Sequence, residues 1–192
     1  MKISCALIFS IISSVCLAQS LDFDIVSKNK VMGSLSVVKS EANSITKYEI
    51  ASKIDLVFGI DYKYSLVSVF KNGVLQKSDL KSYINDKPNS LVLTSIHGHN
   101  SSVSINGKTQ FYRGLIYYNE ASMYFQEPLG RGEIYSDFLG VNKTVKKIDD
   151  ETYEVMNVSN QRISTYYYKS GVLESVTVDF GIIEFSLQRQ YL

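Results

Sequence analysis

The chain has 192 residues, of which 45% are hydrophobic and only two are proline, a composition that excludes an intrinsically disordered protein. Lysine and arginine number 20 against 19 aspartate and glutamate, so the chain has no basic excess with which to bind nucleic acid or an anionic membrane surface. The length fits one domain with a core of its own.

The first 18 residues have the three-part layout of a secretory signal peptide. Lys2 gives a positive start, Ile3 to Val15 is almost continuously apolar or small, and Cys16-Leu17-Ala18 offers small residues where a signal peptidase reads. We therefore expect residues 1–18 to be removed and residues 19–192 to form a single exported domain, in the periplasm or outside the cell. The apolar run is too short to span a bilayer, and we expect no transmembrane segment after cleavage.

Both cysteines, Cys5 and Cys16, lie within the predicted signal peptide, so the mature domain is expected to contain no disulfide and no cysteine-ligated metal. A cysteine-free exported domain is more typical of a bacterial envelope than of small extracellular animal domains. His97 and His99 could point the same way from a strand, but no third ligand is near them in the sequence. We therefore predict an exposed turn there, and no metal or other cofactor.

The remaining sequence predicts a β protein. Alanine occurs after the leader only at Ala42, Ala51 and Ala121, whereas branched and aromatic residues, which favour strands, are abundant. Asn72-Gly73 and Asn106-Gly107 predict tight hairpin turns, because both turn residues must tolerate a positive φ. The predicted strands, in chain order, cover 22–28, 31–39, 44–58, 60–71, 74–84, 90–97, 101–105, 143–148, 152–158, 162–169, 172–180 and 182–190.

Apolar and polar residues alternate along these strands, which indicates a sheet buried on one face. The apolar faces of the segments 48–58 and 62–70 carry Tyr48, Ile50, Ile54, Leu56 and Phe58, then Tyr62, Tyr64, Leu66 and Phe70. The exception is the stretch between Arg113 and Gly140, where Asn119 could cap one short helix over 120–126 that ends before Pro128. A single short helix cannot cover so large a sheet. We therefore predict an all-β fold with one short helix, in which an antiparallel sheet curls into a barrel or half-barrel.

A curled sheet with an apolar inner face can enclose an apolar cavity. We therefore predict a non-catalytic exported binding protein that holds a lipophilic small molecule in this concavity. The alternative is a structural or protein-interaction module of the bacterial envelope, with an unknown protein partner, whose core is filled by its own large side chains. The candidate ligand-binding residues are Ile54, Leu56, Tyr62, Tyr64, Leu66, Phe70 and Tyr124.

Catalysis and membrane insertion are the weaker interpretations. Glu127, Glu133 and Asp137 could supply the paired carboxylates of a glycoside hydrolase, but the chain has no tryptophan with which to bind sugar rings. A serine-nucleophile elbow, a phosphate-binding loop and a dinucleotide fingerprint are all missing, so no catalytic residue is assigned. An outer-membrane barrel is disfavoured by the segment 74–84, because neither of its faces is apolar enough for lipid.

Four short motifs along the chain are Gly33-Ser34-Leu35-Ser36-Val37, Phe70-Lys71-Asn72-Gly73-Val74-Leu75, Met123-Tyr124-Phe125-Gln126-Glu127-Pro128 and Tyr166-Tyr167-Tyr168-Lys169-Ser170-Gly171-Val172. Together they resemble an uncharacterised family of exported bacterial proteins that is known only as a domain of unknown function. The resemblance covers about residues 22–190. The order of strands, one central helix and more strands is also similar to the open half-barrels of periplasmic lipoprotein carriers. That similarity implies a curved sheet around an acyl-like ligand, with residues 115–126 as a lid, and it transfers no functional residue.

Overall fold

The computed structural model describes residues 17–56, 59–179 and 184–191, which form one antiparallel sheet of 14 strands. The first eight strands follow one another with short connections. They are β1 (Leu17–Ser27), β2 (Lys30–Ala42), β3 (Ile45–Leu56), β4 (Ile60–Lys71), β5 (Val74–Ile84), β6 (Lys87–His97), β7 (Asn100–Ile105) and β8 (Lys108–Tyr112).

A long connection then leads to the second group of strands. It contains a short 3₁₀ helix (Glu120–Tyr124). The strands that follow are β9 (Glu133–Ser136), β10 (Val141–Lys147), β11 (Thr152–Met156), β12 (Ile163–Lys169), β13 (Val172–Asp179) and β14 (Glu184–Arg189).

The strand order shows how the sheet curls. Each strand pairs with its neighbour in sequence within the two groups, and β1 also pairs with β14, so the order runs from β8 to β1 and then from β14 to β9. β8 and β9 are the two edges of this sheet, and it does not close into a full barrel. The predicted all-β half-barrel with one short helix is therefore confirmed.

Tight hairpin turns produce most of this topology. The predicted turns at Asn72-Gly73 and Asn106-Gly107 are confirmed, since all four residues have positive φ between 50° and 82°. The connection after β5 is shorter than the predicted strands 74–84 and 90–97 imply. Asn85 and Asp86 form another tight turn, with φ of 48° and 61°, so that β6 begins at Lys87 rather than at residue 90. Pro88 is accommodated near the start of that strand because the β5–β6 register shifts beside it.

Two edge strands were missed by the sequence prediction, because neither alternates clearly. β8 is a five-residue strand whose side chains are mostly exposed, and Phe111 is 77% exposed. β9 has four residues, three of them buried, because the chain before the 3₁₀ helix covers its free edge. The backbone N–H of Tyr135 donates to the carbonyl of Tyr118 at 3.2 Å. This cover protects an edge that would otherwise offer unpaired backbone groups.

Side chains bridge the gap between the two edges of the sheet. The hydroxyl of Tyr112, at the end of β8, donates to Oδ1 of Asn142 at 2.8 Å, and its ring meets that of Tyr135 edge-on at 5.2 Å. The hydroxyl of Tyr135 lies 2.7 Å from that of Thr94 on β6. The half-barrel is thus closed by side chains where it lacks a backbone ladder.

The predicted signal peptide lies largely outside the described residues. Leu17 and Ala18 already belong to β1, where they pair with Glu41 and Ser40, so the predicted cleavage point falls near the start of this strand. Removal of residues 1–18 remains a prediction, and Phe58 of the predicted apolar face also lies outside the described residues. Within the described ranges, none of the helical structure has the length and apolar character needed to cross a bilayer.

Candidate ligand-binding recess

The segment between β8 and β9 enters one end of the half-barrel and fills it. Its 3₁₀ helix begins where the sequence predicted a helix, at the cap residue Asn119, whose Oδ1 accepts from the backbone N–H of Ser122 at 3.1 Å. The helix ends at Tyr124 rather than at residue 126. We call residues 116–125 the plug, since Ile116, Ala121 and Met123 are completely or almost completely buried.

Aromatic side chains of the sheet pack around the plug at this end. The ring of Tyr48 lies 5.9 Å from that of Phe70 and 6.1 Å from that of Phe125. The buried hydroxyl of Tyr168 donates to the backbone carbonyl of Met123 at 2.9 Å. This end of the concave face is therefore a filled core and offers no room for a ligand.

Beside the plug, a buried carboxylate joins three parts of the chain. Asp137, in the turn after β9, has no exposed surface. Its Oδ1 accepts from the hydroxyls of Ser78 at 2.6 Å and Ser68 at 3.4 Å, and Nδ2 of Asn119 donates to Oδ1 and Oδ2 at 3.1 and 2.9 Å. Burial raises the pKa of Asp137 to about 7, although the hydrogen bond from Ser78 acts in the opposite direction. We call these four residues the Asp137 cluster.

The opposite end of the concave face remains uncovered by the plug. Ile54 of β3 lies opposite Tyr62 of β4, and Val178 of β13 lies opposite Phe185 of β14, all beside the strand connections at this end. These side chains are only partly buried, unlike Leu66 and Val176 farther along the same faces. At this end, therefore, aliphatic and aromatic side chains of the inner face keep part of their surface exposed. We call this partly exposed part of the concave face the recess.

Three tyrosines face the recess where it meets the plug. Tyr64 comes from β4, Tyr166 from β12 and Tyr124 from the end of the 3₁₀ helix. Burial is the main cause that raises the pKa of each of their hydroxyls, and the negative charge of Glu120 raises all three further. Each side chain nevertheless keeps some exposed surface. The three side chains therefore lie at the border of the core, where they pack against it.

The seven predicted ligand-binding residues occupy different depths of the concave face. Leu66 and Phe70 are fully buried in the core, and Ile54, Tyr64 and Tyr124 pack against it with part of their surface exposed. Tyr62 and Leu56 are partly exposed near the uncovered end. The prediction assigned no site residue to the second half of the sheet.

That second half supplies the facing wall of the recess. Tyr166, Val178 and Phe185 lie on it, and they follow the same period-two alternation that placed the first set on the inner face. The alternation was therefore the signal that could have found them. No sequence pattern indicated which part of the inner face the plug would leave uncovered.

Glu127, Glu133 and Asp137, the three carboxylates of the glycoside-hydrolase interpretation, form hydrogen bonds with different partners. Glu127 accepts from the hydroxyl of Tyr153 at 3.0 Å, and Glu133 accepts from Asn142 at 2.7 Å, while Asp137 is sealed in its own cluster. Arg131 lies over the ring of Tyr118, 4.3 Å from its centre. These contacts fix the loop around 127–133 to the sheet.

The predicted turn around Gly98 is confirmed, because β6 ends at His97, β7 begins at Asn100, and both histidines are exposed. Gly98 has a φ of 64°. In the ranges that the structure describes, no group of three or more His, Cys, Asp or Glu side chains could hold a metal ion.

A curled antiparallel sheet with a plugged end and an open recess defines the class of protein as a barrel-like β domain. Residues 23–190 match the model of the domain of unknown function DUF6134, and the chain belongs to this family. No curated protein matches it.

One solved structure similar to this chain is that of a beta-barrel-like protein of the domain of unknown function DUF1849 from Brucella abortus. The two share 11% sequence identity with a TM-score of 0.60, over 89% of this chain and 94% of the other. At this identity the likeness establishes the fold alone. The predicted relation to an uncharacterised family with a barrel-like architecture is thereby confirmed.

Proposed function

We propose that this protein is a non-catalytic binding protein that holds a lipophilic small molecule in the recess of its half-barrel. The observation that carries this function is the contrast between the two ends of one concave face. The plug seals the first end, whereas Ile54, Val178 and Phe185 at the other end keep exposed apolar surface. Covering such surface with a ligand gains about 25 cal/mol for each Å² removed from water.

The proposed location is the bacterial envelope or the cell exterior. It rests on the layout of residues 1–18, which is typical of a secretory signal. A lipophilic molecule is poorly soluble in such an aqueous compartment, and an exported protein with an apolar recess could carry or sense it there.

The second candidate function is a protein-interaction module, and one part of the sheet favours it. β8 is an edge strand that pairs with β7 on one side and with none of the described strands on the other, and its Phe111 is 77% exposed. An edge strand of this kind can pair with an extended segment of another chain. This function does not require the recess to bind anything, so a ligand-uptake experiment distinguishes the two.

The experiment titrates the protein with an uncharged naphthylamine dye whose fluorescence rises in apolar surroundings. Two variants on the same strand provide the comparison. Ile54→Gln places a polar group in the recess, whereas Ile45→Gln changes the same residue type on the opposite face of β3, where Ile45 is 42% exposed.

We expect the dye to bind to the unaltered protein and to Ile45→Gln with equal affinity. We expect Ile54→Gln to bind about tenfold more weakly, which corresponds to roughly 1.4 kcal/mol of lost apolar contact. Absence of dye binding, or equal affinity for both variants, would contradict the ligand-binding function and favour the interaction module.

A further inference from the structure

The end of the half-barrel that the plug leaves uncovered carries exposed aliphatic side chains at three successive hairpins. Val31 lies beside the β1–β2 connection, Leu56 and Ile60 border the β3–β4 connection, and Ile84 lies beside the β5–β6 connection. Val31 is 58% exposed, Ile60 38% and Ile84 39%, and Leu56 is partly exposed. We call these four residues the rim.

The pairing of the strands places rim residues next to one another. Leu56 of β3 lies directly opposite Ile60 of β4, and Ile84 of β5 lies directly opposite Tyr62, two residues after Ile60 on the same face. Side chains opposite one another in an antiparallel pair are about 5 Å apart. The rim residues of β3, β4 and β5 therefore form one continuous apolar surface.

Two hydrogen bonds fix the β5–β6 connection to the start of β4. The backbone N–H of Asp61 donates to Oδ1 of Asn85 at 2.8 Å, and the backbone N–H of Asn85 donates to the carbonyl of Asp61 at 2.8 Å. Asp61 directly follows Ile60, and Asn85 directly follows Ile84. These bonds therefore hold the two exposed isoleucines side by side in a preformed surface.

Exposed lysines stand beside the apolar rim residues. Lys28 and Lys30 belong to the β1–β2 connection just before Val31, and Lys87 pairs directly with Ile84 across the β5–β6 turn. All three lysines are exposed. A lysine in such a position can keep its ammonium group in water while its aliphatic stem covers apolar surface.

The carboxylates of the β3–β4 and β5–β6 hairpins already have lysine partners. Nζ of Lys63 lies 2.5 Å from Oδ1 of Asp86 and 3.5 Å from Oδ2 of Asp61, and Nζ of Lys53 lies 3.5 Å from Oδ1 of Asp55. The three rim lysines lie outside this group of ion pairs.

One further carboxylate lies at this end. The hydroxyl of Ser27 donates to the backbone carbonyl of Glu184 at 2.8 Å, and Glu184 is exposed. Lys28, Lys30 and Lys87 thus outnumber it. The rim therefore has a locally positive border, although the whole chain is nearly balanced in charge.

We propose that the rim docks on a lipid surface that carries anionic headgroups. Aliphatic side chains enter the boundary between headgroups and acyl chains, and neighbouring lysines remain at the level of the phosphates. A protein partner fits this chemistry less well, because the cores of protein interfaces are enriched in aromatic residues and depleted of lysine. The docking rests on the proposed function and names the source of its ligand: the recess faces the bilayer, and the lipophilic molecule enters without crossing water.

Flotation with lipid vesicles tests the docking. One set of vesicles contains equal parts of phosphatidylcholine and phosphatidylglycerol, and the other contains phosphatidylcholine alone. We expect the unaltered protein to float with the mixed vesicles and to bind the uncharged ones several-fold more weakly. We also expect the difference to shrink as salt is added, because screening confines the attraction to about 10 Å at 0.1 M salt.

Variants locate the docking surface. Ile60→Gln and Ile84→Gln are each expected to weaken binding to the mixed vesicles about fivefold. The matched control is Ile45→Gln, which changes a 42% exposed isoleucine beside the β2–β3 connection at the opposite end and should leave vesicle binding unchanged. Circular dichroism confirms that each variant is folded.

Lys30→Gln tests the electrostatic contribution without altering the apolar surface. Each lysine near an anionic surface contributes about 1 kcal/mol, so this variant is expected to bind the mixed vesicles about fivefold more weakly and the uncharged vesicles as the unaltered protein does. An equal change on both kinds of vesicle would refute the assignment to anionic headgroups.

The outcomes separate the docking from the proposed function. If the protein binds the naphthylamine dye but neither kind of vesicle, or if Ile45→Gln weakens vesicle binding as much as Ile60→Gln, the docking is wrong and the recess stands. Sedimentation as a dimer without vesicle binding would assign the rim to a second copy of the chain. Vesicle binding without uptake of the dye would support the docking surface and overturn the ligand-binding function.

Discussion

Removal of the hydroxyl of Ser78 tests whether the Asp137 cluster holds an ionised carboxylate. In the structure this hydroxyl donates to Oδ1 of Asp137 at 2.6 Å, and neither residue has more than 1% of its surface exposed. Hydrogen bonds to a charged group contribute about 1.5–3 kcal/mol, against about 1 kcal/mol for neutral pairs. We therefore expect Ser78→Ala to lower the free energy of unfolding by about 2 kcal/mol at pH 8, where Asp137 is mostly ionised, and by about 1 kcal/mol at pH 5.

The assay is urea unfolding followed by circular dichroism at both pH values. The control is Ser68→Ala, in the same cluster, because the hydroxyl of Ser68 lies 3.4 Å from Oδ1, too far for a strong bond. Ser68→Ala should lower the free energy of unfolding less than Ser78→Ala does at pH 8, and its effect should change less between pH 5 and pH 8. A Ser78→Ala penalty that is equal at pH 5 and pH 8, or that is smaller than that of Ser68→Ala, would refute this description of the cluster.

Three further predictions concern stability. Because the pKa of Asp137 rises from its ordinary 3.8 to about 7 on folding, the native state binds an extra proton between these pH values. The free energy of unfolding should therefore fall by about 3 kcal/mol as the pH rises from 4 to 7, and Asp137→Asn should remove most of that slope in urea titrations. Gly33→Ala should lower the free energy of unfolding by several kcal/mol, since its Cβ would lie 2.0 Å from the backbone oxygen of Lys53. The Cβ of Gly132→Ala would lie more than 4 Å from every described residue except its chain neighbours, so this variant should shift the melting temperature little, and equal shifts for the two variants would contradict the packing of β2 on β3. Tyr168→Phe should lower the free energy of unfolding by about 1 kcal/mol, because it removes the hydrogen bond from the Tyr168 hydroxyl to the carbonyl of Met123 in the plug. Chemical unfolding measures this loss, and an unchanged stability would show that the bond is not formed.

The fold was largely predictable because its signals are local. Asn-Gly pairs require a positive φ, so Asn72-Gly73 and Asn106-Gly107 predict hairpins from two residues alone. Period-two alternation then identifies the inner face, and Asn119 predicts the start of the helix through its capping chemistry. β8 and β9 escaped prediction because one is exposed and the other is buried on both faces, so neither alternates.

The site was less predictable because its determinants are distant in sequence. Ser68 lies on the inner face of β4 between Leu66 and Phe70, but its sequence does not indicate that its hydroxyl and that of Ser78 would bond to Asp137, which reaches them from beyond the plug. Ile54 and Tyr64 follow the alternation that marks the inner face, and Tyr124 belongs to the plug, but the extent of the plug decides which of them stay exposed. That extent depends on packing between segments many residues apart, and no local pattern encodes it.

Mass spectrometry under native conditions tests the central claim most directly. The protein would be purified without detergent from the cells that produce it, and its mass would be compared before and after extraction with organic solvent. A ligand-binding recess predicts an apolar molecule bound at one per chain, released by extraction and taken up again when the extract is returned. A mass equal to that of the polypeptide before extraction, with no uptake from the extract, would contradict the claim.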